Sequence, residues 1–172
     1  MKIVASVREL YDEREPIYQT LKSEVDDYFN LEKYSRWHYE SRVKSLQSFS
    51  LKAESARYAE ISNLEDFFGA CLVVENSSSI DNAIKLIEKK YEIIEQRPKK
   101  SDFTHKGPDS FVFDDLRLYV KIPENPNRRP KGIEGIKFEI QLKTFLQHAW
   151  AIATHSMVYK GDNLSWAANR IA

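Results

Sequence analysis

Between Lys137 and Thr144 the chain alternates with a period of two. Phe138, Ile140 and Leu142 fall on one side of an extended strand, and Glu139, Gln141 and Lys143 fall on the other. The next residues, Phe145-Leu146-Gln147-His148-Ala149-Trp150, read as the start of a helix. A strand feeding directly into a helix demands a layered fold. A sheet covered by apolar layers on both faces would not place Glu, Gln and Lys together along one of them. The polar side of this strand therefore meets water or lines a site. Glu139 stands in its middle, where a carboxylate can hold a metal ion or accept a proton.

The remaining strands and helices follow from the same kind of pattern. Residues from about Val7 to Asn30 have helical spacing, with Leu10, Ile17, Leu21, Val25 and Phe29 as core candidates and Pro16 as a start or kink. A second helix is expected from Glu32 to about Tyr58, and a short capped turn from Ser62, with Glu65 three residues on. Gly69 to Val74 reads as a central strand buried on both sides. A loop at Ser77 to Ser79, an amphipathic helix from Ile80 to Lys90 and a strand from Tyr91 to Arg97 follow. Pro98 to Pro108 is loop. Phe111 to Ile122 reads as one long strand or a tight hairpin, in which Leu116, Leu118, Val120 and Ile122 alternate with Arg117, Tyr119 and Lys121. Pro123 to Gly135, with three prolines and two glycines, reads as a surface loop. The last helix is expected from Thr144 to about Tyr159, and Ser165 to Ala172 reads as the beginning of another. The sum is an α+β chain with a mixed sheet flanked by helices. It is a single domain over 1–172, with N-terminal helices in 7–58 and the sheet with its helices in 62–172.

Composition narrows the function classes. The chain has 172 residues, long enough for one domain with a real core, and 26 basic residues balance 26 acidic ones. No global field points to nucleic acid or to a membrane. Charge is nevertheless uneven: the first forty residues lean acidic, whereas 42–57, 85–106 and 121–143 lean basic. Three basic segments could converge on one polyanion or simply face solvent. A single cysteine, Cys71, rules out a disulfide framework and a cysteine-based zinc site. No signal-peptide pattern opens the chain and no apolar run approaches spanning length, so the expectation is a cytoplasmic protein with no membrane partner.

If the second helix is regular, Lys44, Ser48 and Lys52 occupy positions i, i+4 and i+8 and form one polar stripe, with Val43, Leu46, Phe49 and Ala53 roughly opposite. Two ammonium groups with a hydroxyl between them suit a chain of phosphates. An exposed helix face with scattered lysines would look the same. Arg42 falls nearer the apolar side of such a helix and needs a partner, a ligand phosphate or an internal carboxylate. Asp66 lies three residues before Gly69, at the mouth of the central strand. It suits a magnesium-phosphate ligand there, or a simple turn cap.

The ordered set Arg42-x-Lys44-x-x-x-Ser48-x-x-x-Lys52, Asp66-x-x-Gly69, Glu139-Ile140-Gln141, Leu146-Gln147-His148-Ala149-Trp150-Ala151, His155 and Tyr159-Lys160 resembles the RelA/SpoT-type alarmone synthetase domain. The match runs in order from about Leu10 to Ala172. The resemblance implies a nucleotidyltransferase-like mixed sheet and transfer of the β,γ-pyrophosphate of ATP to the 3′-hydroxyl of GTP or GDP, with Mg²⁺. By similarity Arg42, Lys44 and Lys52 would grip the ATP phosphates, assisted by Ser48. Asp66 would ligate Mg²⁺, and Glu139 would orient or deprotonate the acceptor hydroxyl while touching the metal. Gln141 would support the polar face next to the substrate. His148, Trp150, His155 and Tyr159 match the family's helix after the strand, where packing and capping are their expected roles.

The departures concern the acceptor. Family synthetases usually carry Gly-Tyr-x-Ser-x-His before the Glu strand, the Tyr stacking on guanine, and this chain has no such string. Aligning on Leu116 to Pro123 puts Phe113 in place of the Tyr, Asp115 in place of the Ser and Arg117 in place of the His. A rival alignment uses Gly107 and Ser110, with Pro108 at the aromatic position. Cys71 replaces the Arg that commonly follows the Asp-x-x-Gly block, and Ile152 and Thr154 replace acidic residues. Three readings stay open. One is pyrophosphate transfer from ATP to a guanosine nucleotide. Another is a toxin-like relative that uses adenosine nucleotides or a tRNA 3′ end, with Lys99, Lys100, Lys106 and Arg128-Arg129 on the RNA backbone and an antitoxin protein or domain as partner. The third is an inactive nucleotide-sensing domain.

Overall fold

The computed structural model describes residues 3–55, 67–98, 116–125 and 131–159, with the backbone alone for 52–55 and 154–159. Its elements run α1 (Ala5–Glu32), β1 (His38–Val43), α2 (Leu46–Ser55), β2 (Phe68–Val74), a 3-10 turn (Ser77–Ser79), α3 (Ile80–Glu88), β3 (Glu92–Arg97), β4 (Leu116–Lys121), β5 (Phe138–Thr144) and α4 (Phe145–Tyr159). The five strands form one sheet in the order β1-β2-β5-β4-β3. Among the described residues only β2 and β5 pair in parallel; the other pairings are antiparallel. This is the expected α+β architecture, a mixed sheet flanked by helices.

Register explains the two faces. Strand residues opposite one another share a face. Tyr39, Ser41 and Val43 of β1 therefore lie on the same side as Phe68, Ala70, Leu72 and Val74 of β2, Phe138, Ile140 and Leu142 of β5, and Leu118 and Val120 of β4. Leu21, Val25 and Phe29 of α1 and Ala83, Leu86 and Ile87 of α3 cover this side and complete the core. Each fully buried Phe or Leu contributes about 1.5–3 kcal/mol. A smaller aromatic cluster, Val7, Tyr11, Phe49 and Phe67, locks the first half of α1 to α2. Asp26 of α1 accepts hydrogen bonds from Tyr39 Oη at 2.8 Å and Ser41 Oγ at 2.5 Å, fastening β1 to the helix behind it. Among the described residues no helix is long and apolar enough to cross a membrane.

The expectation of one helix from Glu32 to Tyr58 is wrong in its first half. His38 to Val43 is an edge strand with alternating exposure, and α2 starts only at Leu46. The cause is visible in the chain. Tyr39 and Val43, with Ser41 between them, alternate with His38, Glu40 and Arg42, so the period is two and not 3.6. Helix α1 starts at Ala5 and runs through Pro16. Pro16 is exposed, so water can satisfy the carbonyl that loses its helical donor there. Ile17 is 44% exposed instead of in the core, because the neighbouring Tyr18 takes the inward position against Phe67. The loop before β5 is less superficial than its prolines suggest. Ile133 is fully buried, and Gly132 and Gly135 on either side of it take positive φ values of 77° and 75°. The expected turn at Ser62, the loop at Pro98 to Pro108 beyond Pro98, residues 111–115 of the long strand and the run 165–172 lie outside the described residues.

Candidate active site

The opposite face of the sheet carries the polar side chains in rows. Arg42 of β1 stands opposite Gly69 of β2, Gly69 opposite Glu139 of β5, and Glu139 opposite Tyr119 of β4. The next row is Glu40, Cys71, Gln141 and Arg117, and the one after it His38, Val73 and Lys143. With strands about 4.8 Å apart, Arg42 and Glu139 are about two strand spacings from each other across a residue that has no side chain. A Cβ built on Gly69 would meet nothing within 4 Å. Gly69 thus leaves an open floor between a guanidinium and a carboxylate.

Above this floor is a cavity of about 780 Å³, within the range of small-molecule sites. Its lining includes four cationic side chains, Arg42, Lys44, Arg117 and Lys143, against the carboxylates of Glu40 and Glu139. A net positive, concave wall attracts a polyanion. The local backbone holds these groups in place. Tyr11 Oη donates to the Lys44 carbonyl at 3.0 Å, and the Lys44 amide donates to the Phe67 carbonyl at 2.8 Å. Ser45 Oγ accepts from the Ser48 amide at 3.3 Å and so caps α2. On the far side Thr144 and Gln147 form a reciprocal capping box: the Thr144 amide donates to Gln147 Oε1 at 2.8 Å, and the Gln147 amide donates to Thr144 Oγ1 at 3.3 Å. That cap turns the chain from β5 straight into α4 and brings His148 to the cavity wall.

Glu139 is only 7% exposed, and both of its oxygens accept hydrogen bonds. Tyr119 Oη donates to Oε2 at 3.0 Å, and Gln141 Nε2 donates to Oε1 at 2.5 Å. Arg97 Nη1 donates in turn to Tyr119 Oη at 3.2 Å, and its guanidinium lies 4.4 Å from the centre of the tyrosine ring. Burial, and then the hydrogen bond to Glu139, push the Tyr119 hydroxyl above its ordinary pKa, so it remains a donor at neutral pH. The carboxylate is thereby fixed in orientation, and each oxygen keeps a lone pair for a proton or a cation. A hard divalent cation prefers such oxygen donors, so Glu139 fits a share in a magnesium site.

Of the residues singled out from the sequence, Arg42, Lys44, Ser48, Arg117, Gln141 and Glu139 all line this one cavity. The helical stripe proposed for Lys44, Ser48 and Lys52 is corrected: Lys44 precedes α2, and Arg42 points from a strand into the cavity rather than toward a core. The backbone of Lys52 lies within α2, and those of His155 and Tyr159 within α4, but their side chains fall outside the description, as do Asp66 and Phe113 altogether. Tyr119, Lys143, Glu40 and His148 were not assigned to the site from the sequence. Tyr119 and Lys143 were legible, since both occupy polar alternation positions of their strands. Glu40 was hidden by the helical reading of its segment, and His148 was read as a packing residue.

Comparison with known proteins agrees with this fold. Residues 41–164, more than half of the chain, match the model of the region found in RelA/SpoT proteins. A GTP pyrophosphokinase of Bacillus subtilis, YwaC, is 26% identical over 131 residues, covering 73% of this chain and 60% of the relative. The chain thus spans less than two thirds of that relative's length. The small alarmone synthetase 1 of B. subtilis bound to its product pppGpp superposes with a TM-score of 0.66 at 22% identity, covering 95% of this chain and 88% of that one. The same synthetase bound to AMPCPP gives a TM-score of 0.63 at 21% identity, covering 95% and 92%. A GTP pyrophosphokinase family protein of Streptococcus pneumoniae gives 0.61 at 20% identity, covering 98% and 85%. With the family model matching more than half of the chain, β2, β4, β5 and α4 included, the chain belongs to the RelA/SpoT family.

Proposed function

We propose that the cavity transfers the β,γ-pyrophosphate of ATP to the 3′-hydroxyl of a guanosine nucleotide. The observation that carries this reading is the buried Glu139 carboxylate, oriented by Tyr119 and Gln141, on the floor of a cavity rimmed by Arg42, Lys44 and Arg117. Family membership and the nucleotide-bound relatives support the substrate class.

In this mechanism Arg42, Lys44, Ser48 and Lys52 hold the donor triphosphate, and Arg117, Gln141 and Phe113 hold the acceptor. Glu139 accepts the proton of the acceptor 3′-hydroxyl as that oxygen bonds to the β-phosphorus. The bond from the β-phosphorus to the α,β-bridging oxygen breaks, and AMP leaves with that oxygen. The cations offset the charge that gathers on the phosphoryl oxygens. Magnesium, held by Asp66 and Glu139, would add Lewis-acid polarisation of those oxygens.

The test is to incubate the protein with magnesium and γ-labelled ATP, offering GDP, GTP, ADP or bulk tRNA in turn. Label on GDP or GTP is the expected result. Label confined to ADP or tRNA would replace the acceptor with that of a toxin-like relative. No transfer to any acceptor would leave a nucleotide-sensing domain.

A further inference from the structure

At the end of the cavity wall near α4, two imidazoles and a carboxylate converge for no reason that the pyrophosphate reaction supplies. We propose that His38, Glu40 and His148 bind a divalent transition-metal ion of the zinc, nickel and cobalt class, distinct from the magnesium site at Glu139. His38 and Glu40 occupy positions i and i+2 of β1, so both side chains leave the same face of the edge strand. His148 reaches them from the first turn of α4, one residue past the Thr144/Gln147 cap. One potential ligand atom from each of the three lies within 4.8 Å of the other two. His38 Nε2 is 3.9 Å from Glu40 Oε2, and the two imidazole centres are 5.6 Å apart with a tilt of 42°.

Donor chemistry selects the ion. Two neutral nitrogen donors and one carboxylate favour borderline metals, whereas magnesium and calcium take oxygen. Metal–ligand bonds of about 2.0–2.1 Å in a tetrahedral site put donors about 3.4 Å apart, so these groups must draw in by roughly 1.5 Å at most. They have the freedom to do so, because the side chains of His38 and Glu40 are 55% and 56% exposed. The backbones are fixed instead: β1 by its pairing to β2, and α4 by its cap. Three protein ligands leave one position open. Glu40 and His148 also line the cavity, so that position can take water or an anionic group of a bound nucleotide. Nearby groups on this face are Cys71, opposite Glu40, and Lys143, which shares a register row with His38.

The test titrates the chelator-treated chain with cobalt(II) in excess magnesium, which occupies the oxygen-donor site. One saturable equivalent with the intensified visible absorption of a low-coordinate site, displaced by zinc, is expected. His38→Ala and His148→Ala should each weaken binding on the order of 10–100-fold, and Glu139→Gln should leave it unchanged. Zinc should raise the unfolding temperature of the wild type but not that of the double His variant, whose metal-free unfolding temperature should match the wild type. Absence of a saturable equivalent, or binding undiminished in both single variants, would overturn the proposal and leave an exposed His–Glu pair on an edge strand.

Discussion

The two faces of the one sheet obey opposite rules. On the face toward α1 and α3 the rows are dominated by buried Phe, Leu, Ile and Val, and a lost atom leaves a void. On the cavity face the row through Arg42, Gly69, Glu139 and Tyr119 is held by hydrogen bonds around an opening, and an added atom is what would do harm. The same strands serve both faces because side chains alternate. Stability and chemistry are therefore separated by one residue step along β2 and β5. Substitutions at adjacent positions should split cleanly between the two properties.

The largest split is expected at Phe138, fully buried on the apolar face and next to Glu139. Phe138→Ala should cost about 3–5 kcal/mol in urea unfolding, through lost transfer energy plus a cavity. A cost under about 1 kcal/mol would mean that this face is not the core. The mirror experiment is Gly69→Val. A Cβ there meets nothing, so stability should change by less than about 1 kcal/mol while label transfer falls about 100-fold, or roughly 2.7 kcal/mol. Unchanged transfer would place the substrate elsewhere.

Acid should weaken the helical side specifically. Glu24 of α1 accepts from Lys131 at 2.5 Å and from Lys90 at 2.8 Å, and these two lysines hold its pKa down to about 2 from 4.5. A depressed carboxylate contributes its stability above the unfolded pKa and loses it as pH falls, here from about 5 toward 2. After allowance for the exposed lysine, the wild type should lose roughly 1–3 kcal/mol across that window that Glu24→Gln does not lose. Parallel pH curves for the two proteins would contradict it. The smallest effect is expected at Tyr119→Phe, which removes one hydrogen bond to Glu139. It should lower kcat about tenfold, or roughly 1.4 kcal/mol, with ATP KM little changed. A change confined to KM would make Tyr119 a binding group instead of a positioning one.

The same alternation decided what could be read from the sequence. β5 and β2 were legible because Phe138, Ile140 and Leu142, and the run from Gly69 to Val74, leave no helical alternative. The cationic residues were legible as a set, but not their scaffold. His38 to Val43 follows a long helix without a glycine or proline to punctuate it, so the helix was continued across a six-residue edge strand. That error hid His38 and Glu40, whose proximity to His148 depends on strand pairing between distant segments. The hydrogen bond from Tyr119 that helps orient Glu139 likewise depends on cross-strand register, which no single segment encodes.

The most direct measurement compares wild type with Glu139→Gln for both label transfer from ATP and unfolding free energy. The carboxylate lines the cavity and is kept in place by Tyr119 and Gln141, so transfer should fall by at least about 1,000-fold, or roughly 4 kcal/mol, while stability stays within about 1 kcal/mol of wild type. Normal turnover in that variant, or a loss of activity matched by unfolding, would contradict a catalytic role for the polar face.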